Sequence, residues 1–520
     1  MNAKQTPRWL TLGILIVLPL IIGIFTLRDY GESWDEASKR AYADYALHAY
    51  QYLTHPRDLP LFGSELNYYG PAYFMLAALS SRLIQLLLPA WTVVDAWHFV
   101  YFLTFLAGVW ILYLLSKRFM GDWAAFGAAL LYLTQPLFWG HSFINPKDTP
   151  FTTFFMLSLY LGLKMVEAEK RQYLWAILAG FVLGFSTSLR ILAPYAALFI
   201  VFYFLQVKGT QAIRYLLVYA LIAFATTCLT WPYLWADPVQ RFLESLGVMS
   251  AFPFDQTVLF KGGLYPANHL PSEYVPTLLR IQLTEPVLIL SALGLLFALN
   301  RLRVQAASKQ IHPSPLILHP FFLFLFWFLL PTAAIIFSGS TLYDNFRQLF
   351  FLLPPIFILA GLGLDYLFRK FTTAPARLFV LVFLSSFGIL PAILLHPYEY
   401  VYYNATVGRT RGAYQDFEMD YWDTSFAEAA RYLNGVAPRN AKVIVIGAVD
   451  LFRAYARPDL QIVNLDVVKE QGGMYDYAVI HSRRNLDERR CKQAQTIFSV
   501  ERQGAVFAVV KKLTAVNQCP

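Results

Sequence analysis

An acidic pair, Asp35 and Glu36, follows the first apolar segment of the chain, residues 9–27. A carboxylate within hydrogen-bond reach of a hydroxyl group can take its proton as that hydroxyl attacks a substrate. Acidic residues in the first turn of a helix also have a structural explanation, because they interact favourably with the helix dipole. The alanine-rich sequence around the pair predicts such a helix, with Ser33 as its N-cap. Asp35 is our candidate general base.

A second carboxylate lies in the turn formed by residues 145–150, which carries Lys147 and Asp148 and joins two apolar segments. Arg190 and Arg347 each lie at the end of an apolar segment. Arginine at such a position commonly extends toward lipid headgroups, so each arginine has an ordinary explanation when taken singly. Together these groups could hold a phosphate anion, the leaving group when a lipid-linked sugar phosphate loses its sugar. The combination predicts a site for phosphate release beside a proton acceptor.

The composition excludes a water-soluble globular protein. Hydrophobic residues make up 57% of the chain and charged residues only 14%, whereas soluble domains contain about 25% charged residues. The first apolar segment follows Lys4 and Arg8, but it is long for a secretory signal and lacks a small-residue cleavage site, so we interpret it as a membrane anchor. The net charge of +9 comes mostly from basic loops. The sequence shows no basic face with interleaved aromatic residues, so it does not predict nucleic-acid binding.

Clusters of lysine and arginine predict the topology, because these residues mark cytoplasmic loops. If six such clusters lie inside, an even number of crossings must separate consecutive clusters. If the apolar segment 71–88 crossed the membrane, an odd number of crossings would separate two of the clusters. We therefore assign this segment to an interfacial helix. The result is about eleven transmembrane helices, with a cytoplasmic N-terminus and an external C-terminal region. The predicted spans are residues 9–27, 97–115, 123–141, 150–166, 173–189, 190–206, 214–231, 284–300, 318–337, 347–367 and 377–395.

We divide the chain into an all-α transmembrane catalytic domain, residues 1–396, and a small extracytoplasmic α/β domain, residues 397–520. The first domain includes external loops over residues 28–96 and 232–283. In the second, strand-like and helix-like patterns alternate. The predicted strands are 442–447, 477–480 and 506–511, and the predicted helices are 425–434 and 450–456.

Two smaller features belong to the external region. Cys491 and Cys519 both lie there, where a disulfide is permitted, whereas Cys228 lies in an apolar span and is expected to pack. Residues 404–406 match an N-glycosylation acceptor sequence, which matters only in a host that modifies it.

The chain resembles the C-type glycosyltransferase superfamily, and within it the group of protein O-mannosyltransferases and lipid A aminoarabinose transferases. The resemblance covers roughly residues 8–396. It implies a polyprenyl-phosphate sugar donor, an inverting transfer and Asp35 as the general base. It is carried by residues 34–37, 67–71, 145–150, 190 and 343–347.

The residues and the resemblance together predict the site. The catalytic candidates are Asp35, Glu36 and Asp148, and the candidates for donor phosphate binding are Lys147, Arg190 and Arg347. The candidates for substrate binding are Tyr69, His141, Tyr343 and Asp344. The chain departs from many relatives at Tyr69-Gly70-Pro71, where they have a charged His- or Lys-Pro-Pro motif. We expect no cofactor: the clustered acids could hold a divalent metal ion, but the neighbouring cations make one less necessary.

Two other classes of function remain open. A transporter or flippase of a lipid-linked sugar would also have many spans, but ion-coupled transporters usually place ionisable residues at mid-bilayer, whereas here they lie at span ends. A non-catalytic receptor or scaffold is the other class. The sequence contains no Walker A pattern, which argues against ATP-driven transport. We expect a multi-pass protein of a bacterial plasma membrane, whose partners are a polyprenyl-phosphate sugar, the lipid bilayer and a protein, lipid or glycan acceptor, with no nucleic acid.

Overall fold

Apolar helices form most of the molecule. The computed structural model describes residues 6–250, 252–307, 319–465, 473–514 and 519. Within these ranges, seven helical segments are long and apolar enough to cross a bilayer: Arg8–Asp29, Val93–Ser116, Gln172–Leu189, Pro194–Thr230, Glu285–Val304, Phe321–Ser338 and Ala374–Leu395.

One of these segments contains two helices, Pro194–Lys208 and Ile213–Thr230, joined by a short turn. Three further helices match predicted spans but are shorter or more polar: Asp122–Leu133, Asp148–Glu167 and Pro354–Leu367. Counted this way, the described residues contain eleven helices at the positions of the predicted spans. The expected all-α polytopic fold is therefore confirmed.

Proline residues shorten two of the predicted spans. The predicted span 123–141 ends early at Leu133, and a separate helix, Pro136–Ile144, follows it. The predicted span 347–367 begins as a 3-10 turn, Arg347–Leu352, before the helix that Pro354 starts. Proline fixes its own backbone and lacks an amide hydrogen, so it starts a helix readily and interrupts one that is already running.

Several shorter helices lie outside these spans. The predicted interfacial segment forms the helix Ala72–Leu87. The acidic pair opens the helix Glu36–His48, and two helices flank a small hairpin in the second predicted loop. The other helices outside the spans, among the described residues, are Pro238–Ser250, Tyr274–Gln282, Arg409–Ala413, Phe426–Val436, Val449–Tyr455 and Leu486–Arg489.

Seven strands form two sheets in the described residues. The hairpin pairs β1 (Thr257–Phe260) with β2 (Gly263–Pro266). The larger sheet has the order β4-β3-β5-β7-β6, in which β3 runs parallel to β4 and β5, and β7 runs antiparallel to β5 and β6. Its strands are β3 (Lys442–Ile446), β4 (Gln461–Asn464), β5 (Tyr477–His481), β6 (Gln495–Arg502) and β7 (Ala505–Lys512). The expected α/β region is confirmed, although the sequence patterns did not reveal β4 and β6.

The segment between the last apolar helix and this sheet packs against the bundle. Tyr30 donates a hydrogen bond to Glu399 over 2.9 Å. Asn404 is buried, and its amide donates to the carbonyl oxygens of Arg280 and Leu283, each over 2.7 Å. The possible glycosylation acceptor therefore has a structural role here. Further along the chain, Cys491 and Cys519 form a disulfide.

Candidate active site

The acidic pair divides its two side chains between different environments. Glu36 is fully buried, accepts a hydrogen bond from the backbone N–H of Ser33 over 2.8 Å, and lies 3.0 Å from Nε2 of His98. The predicted N-cap role of Ser33 is wrong, because its hydroxyl donates instead to the carbonyl oxygen of Ile144 over 2.7 Å. Glu36 thus fixes the start of the helix, and Asp35 faces the other way.

Asp35 lines a cavity of about 540 Å³, which we call the base cavity. Its carboxylate lies 4.0 Å from Lys39 Nζ and 3.9 Å from Arg347 Nη1. Burial would raise the pKa of Asp35, but the charges of Lys39, Lys147, Arg347 and Arg190 outweigh burial and hold that pKa well below its usual range. Asp35 is therefore an anion at neutral pH.

A second cavity of about 540 Å³, which we call the phosphate cavity, adjoins the first. Four side chains line both cavities and form the wall between them: Tyr69, Lys147, Phe252 and Tyr343. Arg190 lines the phosphate cavity only, and most of its other lining is apolar. An apolar groove of about 520 Å³ continues from it between the membrane helices. The cavity and the groove share Tyr195, Pro331 and Ala334.

Lys147 is the cation at the junction of the two cavities. Its side chain is 5% exposed, and Nζ lies 4.6 Å from the centre of the Tyr69 ring. Among the described residues its ammonium group forms no ion pair. Burial, assisted by the charges of Arg190 and Arg347 against that of Asp35, lowers the pKa of Lys147 to about 7. The described part of the site therefore contains a buried ammonium that forms no ion pair with a carboxylate.

Asp148 lies behind the cavities and holds the two arginines. One carboxylate oxygen pairs with Arg190, and the other accepts hydrogen bonds from Arg347 Nη1 over 3.3 Å and from Asn145 Nδ2 over 3.1 Å. Arg347 also donates from Nη2 to Asp344 over 2.7 Å. Asp148 and Asp344 thus both bind Arg347 and hold it beside Asp35.

The turn that carries Lys147 is ordered by its own asparagine. Asn145 Oδ1 accepts hydrogen bonds from the backbone N–H groups of Lys147 and Asp148, over 3.0 and 2.8 Å. His141 is buried behind this turn, with Nδ1 3.1 Å from Asn145 Nδ2 and Nε2 3.0 Å from Tyr421 Oη. His141 therefore supports the turn and a tyrosine of the cavity wall, and does not itself line either cavity.

The departure at Tyr69-Gly70-Pro71 has a packing reason. A Cβ atom at Gly70 would lie 2.0 Å from the carbonyl oxygen of Ser188, near the end of the helix that precedes Arg190. Only glycine permits such a close approach of two backbones. The approach brings the Tyr69 ring beneath Lys147, so the cation at this point comes from the turn at 145–150 and not from the loop before the interfacial helix.

Tyr343 and Asp344 lie on a tight turn at the rim of the base cavity. The Tyr343 ring stacks on Phe254 with the ring centres 3.8 Å apart. Asp344 and Asn345 have φ angles of +56° and +59°, which non-glycine residues seldom adopt and which the surrounding structure must hold. Asn345 Nδ2 donates to Tyr403 Oη over 3.0 Å and supplies part of that support.

Sequence reasoning missed several residues of the base cavity. Lys39 was the easiest of them to predict from the sequence, because it lies four residues after Asp35 on the same helix face. Trp422 stacks on the Arg347 guanidinium, whose centre is 4.5 Å from its ring, and Arg483 reaches the same cavity from the turn after β5. Both lie in the C-terminal region, and no local pattern marks either of them.

The acidic side chains that the structure describes are not grouped as metal ligands. Among the described residues, no group of three or more His, Cys, Asp or Glu side chains is placed to bind a metal ion. Asp148 and Asp344 face guanidinium groups, and Glu36 faces His98. These three carboxylates are therefore engaged by other partners.

Comparisons with known proteins bear on the family and the fold. A sequence model of the family described as dolichyl-phosphate-mannose-protein mannosyltransferase matches residues 71–235, a range that contains Lys147, Asp148 and Arg190. No curated protein matches the chain in sequence.

Solved structures resemble the whole chain. ArnT from Cupriavidus metallidurans in the apo state is 13% identical, with a TM-score of 0.52 over 96% of this chain and 97% of that chain. The same protein bound to undecaprenyl phosphate is 12% identical, with a TM-score of 0.50 over 99% and 100%. The apo oligosaccharyltransferase of Archaeoglobus fulgidus is 11% identical, with a TM-score of 0.51 over 94% and 71%. The chain has the C-type glycosyltransferase fold, as the resemblance implied.

Proposed function

We propose that this multi-pass membrane protein transfers a sugar from a polyprenyl-phosphate donor to an acceptor hydroxyl, with inversion at the anomeric carbon. The family match and the fold support a glycosyltransferase. The observation that carries the proposal is Lys147, a buried ammonium without an ion-pair partner among the described residues. It stands between the cavity of Asp35 and a cavity continuous with an apolar groove.

The donor occupies the phosphate cavity and the apolar groove. Its prenyl chain lies in the groove, where lipid-like surface meets apolar side chains, and its phosphate lies against Lys147 and Arg190. The structure of ArnT with undecaprenyl phosphate supports a donor of this class for the same fold. Arg347, which we expected on the phosphate, lines the base cavity and not the phosphate cavity. We therefore assign it to the support of Asp35, from where its charge still acts on the phosphate.

The acceptor occupies the base cavity. Its hydroxyl oxygen attacks the anomeric carbon from the face opposite the phosphate, and Asp35 takes the hydroxyl proton as the new C–O bond forms. The bond between the anomeric carbon and the phosphate oxygen breaks, and its electron pair leaves with the phosphate. Lys147 and Arg190 stabilise the charge that develops on that oxygen.

The other predicted residues support these groups. Tyr69 and Tyr343 line both cavities, so each can contact donor and acceptor. Asp148 and Asp344 act through the arginines that they hold. His141 acts through the turn that carries Lys147, and Glu36 through the start of the helix beside Asp35.

The site faces the extracytoplasmic surface in our proposal. The loops that contain the basic clusters lie on the other side of the membrane from the site, and such clusters are typical of cytoplasmic loops. The N-terminus then lies inside, and residues 397–520 lie outside as an α/β domain. A bacterial plasma membrane remains the expected location.

The variant Asp35→Asn tests the proposal in the cell that makes the protein. The gene is deleted and then restored as wild type, Asp35→Asn or Asp44→Asn, and the lipid-linked sugars and the glycans of proteins and lipids are compared by mass spectrometry. We expect Asp35→Asn to leave the protein at normal abundance and to abolish transfer. Asp44 is the matched control, because it lies on the same helix with a side chain 57% exposed.

Two results would contradict the proposal. Restoration of the missing sugar by Asp35→Asn would remove the base assignment. If the purified protein moved a lipid-linked sugar between membrane leaflets without releasing polyprenyl phosphate, the chain would be a flippase.

A further inference from the structure

The C-terminal region contributes a buried arginine to the base cavity. Arg483 follows β5, lines the cavity and is 4% exposed. Its Nη2 donates to Oδ1 of Asp344, and the other oxygen of Asp344 accepts from Arg347 Nη2 over 2.7 Å. Arg347 Nη1 lies 3.9 Å from Asp35. A continuous chain of charges therefore runs from the C-terminal region to the candidate base.

The turn that carries Arg483 is fixed from within the C-terminal region. His481 Nδ1 lies 2.5 Å from Asp423 Oδ1 at the end of β5. The backbone N–H of Ser482 donates to the carbonyl oxygen of Phe507 over 2.8 Å. Arg484 has a φ angle of +56°, an unfavourable conformation that persists only where neighbours hold it. Its N–H donates to Glu418 over 3.1 Å. The position of Arg483 thus depends on the folded sheet.

Asp344 is shared between two guanidinium groups, and this sharing places Arg347. With Arg483 present, each arginine takes one oxygen of the carboxylate. Without Arg483, the full charge of Asp344 would attract Arg347, because a buried carboxylate needs compensation. Arg347 would then move toward Asp344 and away from Asp35 and Asp148.

We propose that Arg483 is a positioning residue for sugar transfer: by engaging Asp344 it keeps Arg347 beside Asp35. Under this proposal the C-terminal region forms part of the active-site wall and is required for transfer. The inference rests on the proposed function, because Asp35 and Arg347 matter here through their part in transfer.

Three variants of the full-length protein test the inference in a transfer assay with host lipid extract as the source of donor and acceptor. Arg483→Gln should lower kcat about tenfold, since a misplacement of about 1 Å can cost up to a hundredfold. The KM for the donor should change less than about twofold, since Lys147 and Arg190 remain. Arg483→Lys should restore most of the rate. Arg484→Gln, with the same loss of charge one residue away and outside the cavity lining, should match wild type.

A pH profile separates positioning from a general loss of structure. With Arg347 drawn away, the pKa of Asp35 rises, so the acid limb of kcat/KM should move to higher pH in Arg483→Gln. We expect kcat to fall all the same, because the loss of a fixed orientation for Asp35 outweighs its gain in basicity. In the double variant with Asp344→Asn, the carboxylate that displaces Arg347 is gone. Loss of Arg483 should then add little to the effect of Asp344→Asn.

The outcomes are distinguishable. Absence of transfer by the wild-type protein would contradict the proposed function itself. If wild type transfers sugar and Arg483→Gln keeps its kcat and pH profile, only the inference is overturned. It is also overturned if Arg484→Gln loses the same activity, or if the losses from Asp344→Asn and Arg483→Gln are fully additive.

Discussion

Lys147 should make the affinity for a polyprenyl phosphate depend on pH. Burial lowers the pKa of its ammonium group to about 7, so the group is only partly charged at neutral pH when no phosphate is bound. A phosphate bound beside it compensates the charge and moves the pKa back toward its ordinary value of about 10.4. Binding then takes up a proton, and the affinity falls as the pH rises above 7.

The expected size of the effect follows from this shift. We choose pH 7.5 to 9 and undecaprenyl phosphate as the probe, because a phosphate monoester with a second pKa of about 6 is already mostly a dianion there. Over this range the charged fraction of Lys147 in the empty protein falls from about a quarter to about 1%. The Kd for undecaprenyl phosphate should accordingly rise about 20-fold.

The matched control is Lys147→Arg, because a guanidinium stays charged throughout this range. The Kd of each protein is measured by native mass spectrometry in one detergent at pH 7.5, 8, 8.5 and 9. A weaker slope remains in the control, since burial lowers the pKa of Lys39 to about 8 and this lysine also loses its charge. A flat wild-type Kd, or the same slope in both proteins, would refute the assignment of the phosphate to Lys147.

Two further predictions concern the scaffold. Gly70→Ala should lower the free energy of unfolding by about 1–3 kcal/mol and weaken undecaprenyl phosphate binding, because its Cβ would lie 2.0 Å from the Ser188 carbonyl oxygen. Gly63→Ala in the same loop has no atom within 4 Å and should do neither, and equal thermal shifts would contradict this. At His396, burial lowers the pKa but Glu399 and Asp29 outweigh it and raise the pKa to about 9, so its stabilising effect is complete below pH 6.5 and disappears as the pH rises through 9. The Tm of His396→Gln should lack this fall, and parallel Tm curves for both proteins would contradict the prediction.

The helices were predictable because the length of an apolar run is a local property of the sequence. The errors at Pro136 and Pro354 came from following hydropathy across prolines that end or start a helix. The error at Ser33 had another cause: the acceptor of its hydroxyl, the carbonyl oxygen of Ile144, is 111 residues away in the chain. No sequence pattern predicts such a competitor for a capping role.

The site was predictable as a set of residue types but not as an arrangement. Residues near Asp35 and in the turn with Lys147 could be recognised from their positions after apolar segments. The pairing of cations with carboxylates could not be predicted from the sequence. Arg347 contacts Asp148, 199 residues away in the chain, and Arg483 contacts Asp344, 139 residues away. These contacts depend on the packing of helices and sheet, and they are the reason that we propose Arg347 as a support of Asp35.

The electrostatics of the site imply an order of events under the proposed function. Positive charges hold the pKa of Asp35 well below its usual range before the donor arrives, so it is a poor proton acceptor. A phosphate at Lys147 and Arg190 compensates part of that charge and raises the pKa of Asp35, which makes the carboxylate a stronger base. An acceptor hydroxyl is therefore activated best when the donor is already bound.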